Sequence, residues 1–173
     1  GEFQHGSNRM AYWDVPETNI AGTEVSVTNI NGVRELKVAV PAGAVALNQA
    51  IVEQKDIAIK GSTRYVLSFD AYGDGQKLVQ AAIAGNTFDC NLTTEKQNYT
   101  YSFTTAAEVN EATLQFLLGV PGVTYIDNVR IQEDGMLVNG NFSNGLTGFE
   151  TFSDASATAK FSVDELNEGG AAC

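Results

Sequence analysis

The chain has 173 residues, 43% of them hydrophobic and 18% charged, which suits one domain of ordinary size plus a remainder too short for a second core. Its formal charge of -11 repels phosphate backbones and anionic lipid, and its ten Lys and Arg are scattered singly, so nucleic acid and membrane surfaces are poor partners while neutral ligands are not penalised. No apolar run approaches the roughly 20 residues that cross a bilayer, and the composition is that of a soluble globular segment.

Taken in order, the elements read as strands. The runs "EVSVTNI" (24–30) and "VRELKVAV" (33–40) alternate, and "RYVLSFDAY" (64–72) sets Tyr65, Leu67 and Phe69 against Val66, Ser68 and Asp70. Further runs follow in "KLVQAAIA", "NYTYSFTT", "ATLQFLLG" and "VTYIDNVRI". Between them lie "NING", "PAGA", "KGST", "GDGQ" and "VPGV", turn material recurring every 8 to 14 residues or about that, which is the rhythm of an antiparallel sandwich. Only "TTAAEVNEA" has helical composition, enough for a single turn. Face-to-face burial of two half-apolar sheets predicts an all-β fold, an antiparallel β-sandwich of jelly-roll type with about seven or eight strands before Gln132.

The opening "GEFQHG" has the outline Gly-x-Phe-x-x-Gly, and "GNFSNG" at 140–145 repeats it. In both places an aromatic residue follows (Trp13, Phe152) and then an alternating strand ("EVSV", "KFSV"). The expected organisation is a complete module at 1–132, a short linker at 133–135, and the truncated start of a second, similar module at 136–173. The two cysteines, Cys90 and Cys173, have neither metal-site spacing nor a Cys-x-x-Cys motif; they form either a disulfide of a secreted protein or two unrelated thiols. The chain begins at Gly1 without Met, so localisation is argued from elsewhere.

The ordered set "GEFQHG…AYW", "EVSV…GVRELKVAV", "KGSTRYVLSFDAY", "QNYTYSFTT", "LQFLLG" and "VTYIDNVRI" resembles the family-4 carbohydrate-binding modules and their close relatives of family 9. The likeness spans residues 1–132 and rests on the order of the motifs together. It implies a jelly roll of the galactose-binding-domain kind. It also implies a concave sheet that binds one β-glucan or xylan chain, and attachment to secreted bacterial glycoside hydrolases, often in tandem with further binding modules. The opening "FQHGSNRMAYW" is most similar to modules carried by β-1,3-glucanases. The expected setting is therefore extracellular, secreted or at the cell surface, with a covalently linked catalytic domain as partner.

A cleft for a neutral sugar chain needs aromatic faces for the C–H surfaces of pyranose rings and amides or carboxylates for the hydroxyls. Parity in "ATLQFLLG" turns Leu114, Phe116 and Leu118 inward, leaving Gln115 for the cleft or for plain solvent. Asp70 and Tyr72 lie opposite the core set of their strand, with Tyr72 either stacking on sugar or covering a sheet edge. By position in the family, Phe88 and Asn86 of "AGNTFDC" inherit a stacking ring and a polar neighbour, with Phe in place of the commoner Tyr. Trp13, with Tyr12 beside it, is either a stacking platform or a core plug. Arg9 either caps a hydroxyl or pairs with an acid, and Asn48 and Gln49 sit on a segment whose register the pattern leaves open. The resemblance also implies a structural Ca²⁺ where first and last strands meet, with Asp127 at the carboxylate position and Gln4 where the family often has Glu, a substitution that leaves Glu2 to help.

No acid sits in a recognisable catalytic motif and His5 is the sole His, on a terminal loop, so a hydrolase in its own right is disfavoured. The sequence reading is a non-catalytic module for single β-glucan chains, β-1,3-glucan favoured, with xylan or β-1,4-glucan as other ligands. Its rival is a structural or adhesive spacer of a secreted multidomain protein.

Overall fold

The computed structural model describes residues 10–134, together with the strand backbones at 164–166 and 170–172. Nine strands run through the first stretch: β1 (Glu24–Ile30), β2 (Val33–Val40), β3 (Ile51–Ala58), β4 (Arg64–Gly73), β5 (Lys77–Ile83), β6 (Asn86–Leu92), β7 (Gln97–Thr104), β8 (Glu111–Leu117) and β9 (Gly122–Glu133). They form a five-stranded sheet, β1-β2-β9-β4-β7, and a four-stranded sheet, β3-β8-β5-β6, antiparallel throughout. The helical turn expected in 104–112 is a plain turn; among the described residues a 3₁₀ turn forms instead at Leu47–Gln49.

Local chemistry sets the hairpins. Asn31 and Gly32 both adopt positive φ (53° and 89°) between β1 and β2, the backbone that matches strand twist in a two-residue turn. Ala84 and Gly85 do the same between β5 and β6 (49° and 78°), and the Asn86 amide donates to the Ala84 carbonyl at 3.0 Å, holding a backbone that alanine rarely adopts. Gly119, at the end of "FLLG", lies so close to the 3₁₀ turn that a Cβ there would sit 2.0 Å from the Ala46 carbonyl oxygen.

Strand parity places the core between the sheets. Leu36, Val38, Leu67, Phe69 and Ile126 from the five-stranded sheet meet Val52, Ala81, Ile83, Leu114 and Phe116 from the other. Phe69 and Phe116 join the two layers edge to face, ring centroids 5.0 Å apart. Cys90 is a buried free thiol on the inner face of β6.

The chain divides into two compact units, Gly1–Glu133 and Asp134–Cys173. In the second, β10 (Asp164–Leu166) pairs antiparallel with β11 (Gly170–Ala172). Residues 136–163, which carry the second Gly-x-Phe-x-x-Gly, lie outside the described residues, as do Cys173, Arg9, Glu2, Gln4 and His5.

Candidate binding site

Each sheet turns its second side outward, and the outward-facing candidates Gln115, Asp70 and Tyr72 divide between these two surfaces. On the four-stranded sheet, register aligns Glu53, Gln115, Ala82 and Thr87 in one row across β3, β8, β5 and β6. In the next row Leu117, Gln80 and Asp89 are neighbours. Gln115 Nε2 donates to Glu53 Oε2 at 2.7 Å, and Gln80 Nε2 donates to Asp89 Oδ1 at 2.8 Å. The Lys55 ammonium bridges Glu53 (3.0 Å) and Asp14 (3.3 Å).

Asp14 exchanges backbone hydrogen bonds with Glu53 (2.7 and 3.0 Å), which lays the segment before β1 along the edge of β3. That pairing brings Tyr12, 79% exposed, to the rim of this surface. A cavity of about 310 Å³ opens there, lined by Ala11, Tyr12, Asp14, Gln54, Lys55 and Asp56. Glu53 itself is only 7% exposed. The Gln115 hydrogen bond, working against the cost of burial and joined by Lys55, holds its carboxyl below the usual carboxylate range. Lys55 is raised in turn by its bonds to Glu53 and Asp14.

On the five-stranded sheet the outward groups are of another kind. Tyr72 and Tyr125 are cross-strand neighbours with rings stacked 4.6 Å apart. The Tyr72 hydroxyl donates to Glu35 Oε2 at 2.6 Å, and Lys96 forms an ion pair with the same carboxylate. Burial, first, and then the Glu35 carboxylate push the Tyr72 phenol up. One extra residue in β9 opposite Ser68 and Asp70 makes a bulge. Asp127 and Asn128 therefore both lie on the outer side between the inward Ile126 and Val129.

This geometry decides between the open readings of Trp13, Asn48 and Gln49 and corrects the expectations for Phe88 and Asn86. Trp13 is 7% exposed and stacked on Phe116 at 5.9 Å, so its ring belongs to the core. Phe88 shares the inward parity of Cys90 and Leu92, and its ring stacks on Tyr101 at 4.7 Å, closing the side of the sandwich. Asn86 spends its amide on the turn carbonyls of Ile83 and Ala84. Gln49 turns its Oε1 back to the amides of Val45 (2.7 Å) and Ala46 (3.0 Å), while Asn48 stays exposed on the 3₁₀ turn. Asp70 and Tyr72 face outward as expected, but on the sheet opposite Gln115. Glu53, Lys55, Asp14 and Gln80 had not been singled out; the alternation of "IVEQKD" and "KLVQAAI" carries the signal for Glu53 and Gln80.

The cation expected at Asp127 can be tested against that residue's surroundings. Asp127 is 3% exposed, its Oδ1 has no hydrogen-bond partner, and desolvation raises its pKa. A buried carboxylate oxygen left without a donor is a fit ligand for a hard cation. Among the described residues no three His, Cys, Asp or Glu side chains converge on one point, and Asp127 is the one member of the expected ligand set among them.

No family model and no curated protein matches the chain. Solved structures do. A CBM4 module is similar at 20% identity, covering 70% of this chain and 86% of its own, with a TM-score of 0.58. The N-terminal cellulose-binding domain of Cellulomonas fimi β-1,4-glucanase C is similar at 22% identity, over 79% of this chain and 97% of that one, TM-score 0.57. The CBM22-1 xylan-binding domain of Paenibacillus barcinonensis Xyn10C follows at 12% identity, over 76% and 90%, TM-score 0.53. The sequence-order resemblance and this structural likeness agree: the chain has the antiparallel β-sandwich fold of the carbohydrate-binding modules.

Proposed function

We propose that this chain is a non-catalytic carbohydrate-binding module that takes a single β-glucan chain, β-1,3-linked by preference, across the outer face of its four-stranded sheet. The observation that carries the reading is the pairing of a fixed polar floor with an exposed ring at its rim. Glu53 receives the Gln115 N–H, which leaves the Gln115 carbonyl oxygen free to accept from a sugar hydroxyl. Gln80 and Asp89 form a second such pair, and Tyr12 offers a face for a pyranose. The fold shared with cellulose- and xylan-binding domains supports the same reading.

The electrostatics argue against hydrolysis at this surface. A glycosidase needs one carboxyl kept protonated as general acid, whereas Gln115 and Lys55 keep Glu53 ionised. What the surface can do is hold a chain, and tethering to a hydrolase would turn a weak hold into a raised local substrate concentration. A secreted multidomain setting with a second module at 136–173 belongs to the same proposal; no described helix is long and apolar enough to cross a membrane. A structural Ca²⁺ at Asp127 is part of it too, its charge meeting the carboxylate oxygen that burial leaves without a donor and so holding β9 in place.

Affinity electrophoresis and calorimetry with laminarin, barley β-glucan, cello-oligosaccharides and xylan test the reading, on the wild type and on Tyr12→Ala and Gln115→Ala. Stacking of one exposed ring contributes about 1 kcal/mol, so Tyr12→Ala should weaken laminarin binding by about fivefold to tenfold with unchanged thermal stability. Binding to no glycan would leave the spacer reading, which the inward turn of Trp13 and Phe88 favours, and would overturn this one.

A further inference from the structure

We infer that the opposite face of the sandwich carries a second, smaller sugar site, built by the β9 bulge and sized for one ring of a neutral glycan. Its centre is the Asp70 carboxylate. Asn98 Nδ2 donates to Asp70 Oδ1 at 2.8 Å and Asn128 Nδ2 donates to Asp70 Oδ2 at 2.6 Å. Thr100 Oγ1 donates to Asn98 Oδ1 at 2.9 Å, fixing that amide's orientation. Ser68, Asp70, Asn98, Asn128 and Arg130 enclose a cavity of about 160 Å³ that opens to the surface. At about 30 Å³ per water, this is room for about five waters, the scale of one ring rather than a chain.

The backbone is strained at this place. Asn128 holds φ at 51° next to the extra residue in β9, in the central region of a sheet where a regular strand would be less costly. The consequence of the strain is local: it aims the Asn128 amide at Asp70. Bulges re-aim side chains in this way beside binding sites.

The lining chemistry selects the ligand. A metal ion would have to displace two amide N–H groups already donating to Asp70, which makes the cradle donor-rich where a cation needs acceptors. A phosphate or sulfate would meet the Asp70 charge on a chain of net charge -11. A neutral vicinal diol meets neither objection. Asp70 keeps lone pairs for a hydroxyl proton, the Asn128 amide keeps a second N–H while that of Asn98 reaches the Phe69 carbonyl at 3.4 Å, and Arg130 lines the wall. Tyr72 comes two residues further along β4, about 7 Å away at strand rise, beside its stacked partner Tyr125. The module would thus touch sugar on both outer faces, one long and one short, and could bridge two chains.

Side-chain amide NMR on the full chain tests this directly. Laminaribiose and methyl β-glucoside would be titrated to concentrations on the order of 100 mM, enough to fill a site of millimolar affinity, with sodium sulfate and calcium chloride as comparison ligands. The amides of Asn98 and Asn128 should shift with sugar. Asn128→Gly removes the amide while suiting the positive φ, so the fold is kept and sugar affinity at this face should fall about tenfold. Gln115→Ala should leave these shifts intact, which separates this site from the one on the four-stranded sheet. Amides that stay still with sugar, that move only with sulfate or calcium, or whose response is lost in Gln115→Ala and kept in Asn128→Gly, would overturn the inference.

Discussion

Glu53 and Asp127 are both almost fully buried carboxylates on outer faces of the sandwich, 7% and 3% exposed, yet their environments push them in opposite directions. Glu53 receives the Gln115 amide and the Lys55 ammonium and is held below the ordinary range. Asp127 has one oxygen with no donor, and burial raises it. Burial alone therefore says little about a carboxylate; what decides is whether the fold brings donors to it. On the four-stranded face Glu53 and Asp89 both receive side-chain donors from the chain itself, which suits a neutral ligand. On the five-stranded face one buried carboxylate oxygen is left without a donor, which suits a cation at Asp127.

The largest expected effect removes the support beneath the first face. Trp13 stacks on Phe116, whose neighbours Gln115 and Leu117 form the outer floor. Trp13→Ala should cost about 3–5 kcal/mol, lowering the melting temperature by about 10 °C or more, as differential scanning calorimetry would show. Glycan binding should be lost only in proportion to unfolding; a variant of full stability that fails to bind would return Trp13 to the ligand surface.

Next comes the carboxylate oxygen without a donor. Asp127→Asn exchanges a buried carboxylate with one oxygen lacking a donor for a neutral group of the same shape, and without calcium it should stabilise the fold by about 1–3 kcal/mol near neutral pH. The sign with pH follows from the raised folded pKa. The protonated form is stabilised by folding, so the wild type is favoured below its unfolded pKa and loses that stability as pH rises through the folded value. The advantage of Asp127→Asn should hence grow with pH, and calcium should raise the melting temperature of the wild type and not of the variant. A wild type indifferent to calcium would remove the cation from Asp127.

Which parts of this were legible in the chain follows from the range of each interaction. Alternation in "RYVLSFDAY" and "ATLQFLLG" marked Leu67, Phe69, Leu114 and Phe116 as inward, and the "NG" turn stands where positive φ is needed, because these depend on residues within a few positions. Parity says whether a side chain faces out, not from which sheet. Asp70 and Tyr72 were correctly outward, but the sheet they belong to is set by pairing with β9, with Asp70 and Asn128 meeting across 58 residues. Glu53 and Gln115 meet across 62, and no local pattern announces that bond. Phe88 was assigned by position in a family; its own parity with Cys90 and Leu92 already pointed inward.

The smallest effect sharpens the contrast most. Glu53→Gln keeps shape and removes charge, so the Lys55 pairing weakens and the Gln115 amide loses a charged acceptor, a cost of about 1.5 kcal/mol. Here the folded pKa is lowered, so the contribution is present above the unfolded value and disappears as pH falls through the folded one. The gap between wild type and Glu53→Gln should close in acid, the reverse of the Asp127→Asn behaviour, and denaturant titrations from neutral to acid pH would display both slopes. Glycan binding gives the second readout. With glutamine at 53 the amide of Gln115 is no longer compelled to point its nitrogen inward, so its carbonyl oxygen is no longer held toward the ligand and laminarin affinity should fall even at pH values where the fold is intact. Unchanged affinity with altered stability would make Glu53 a partner of Lys55 alone and take the orientation of Gln115 out of its control.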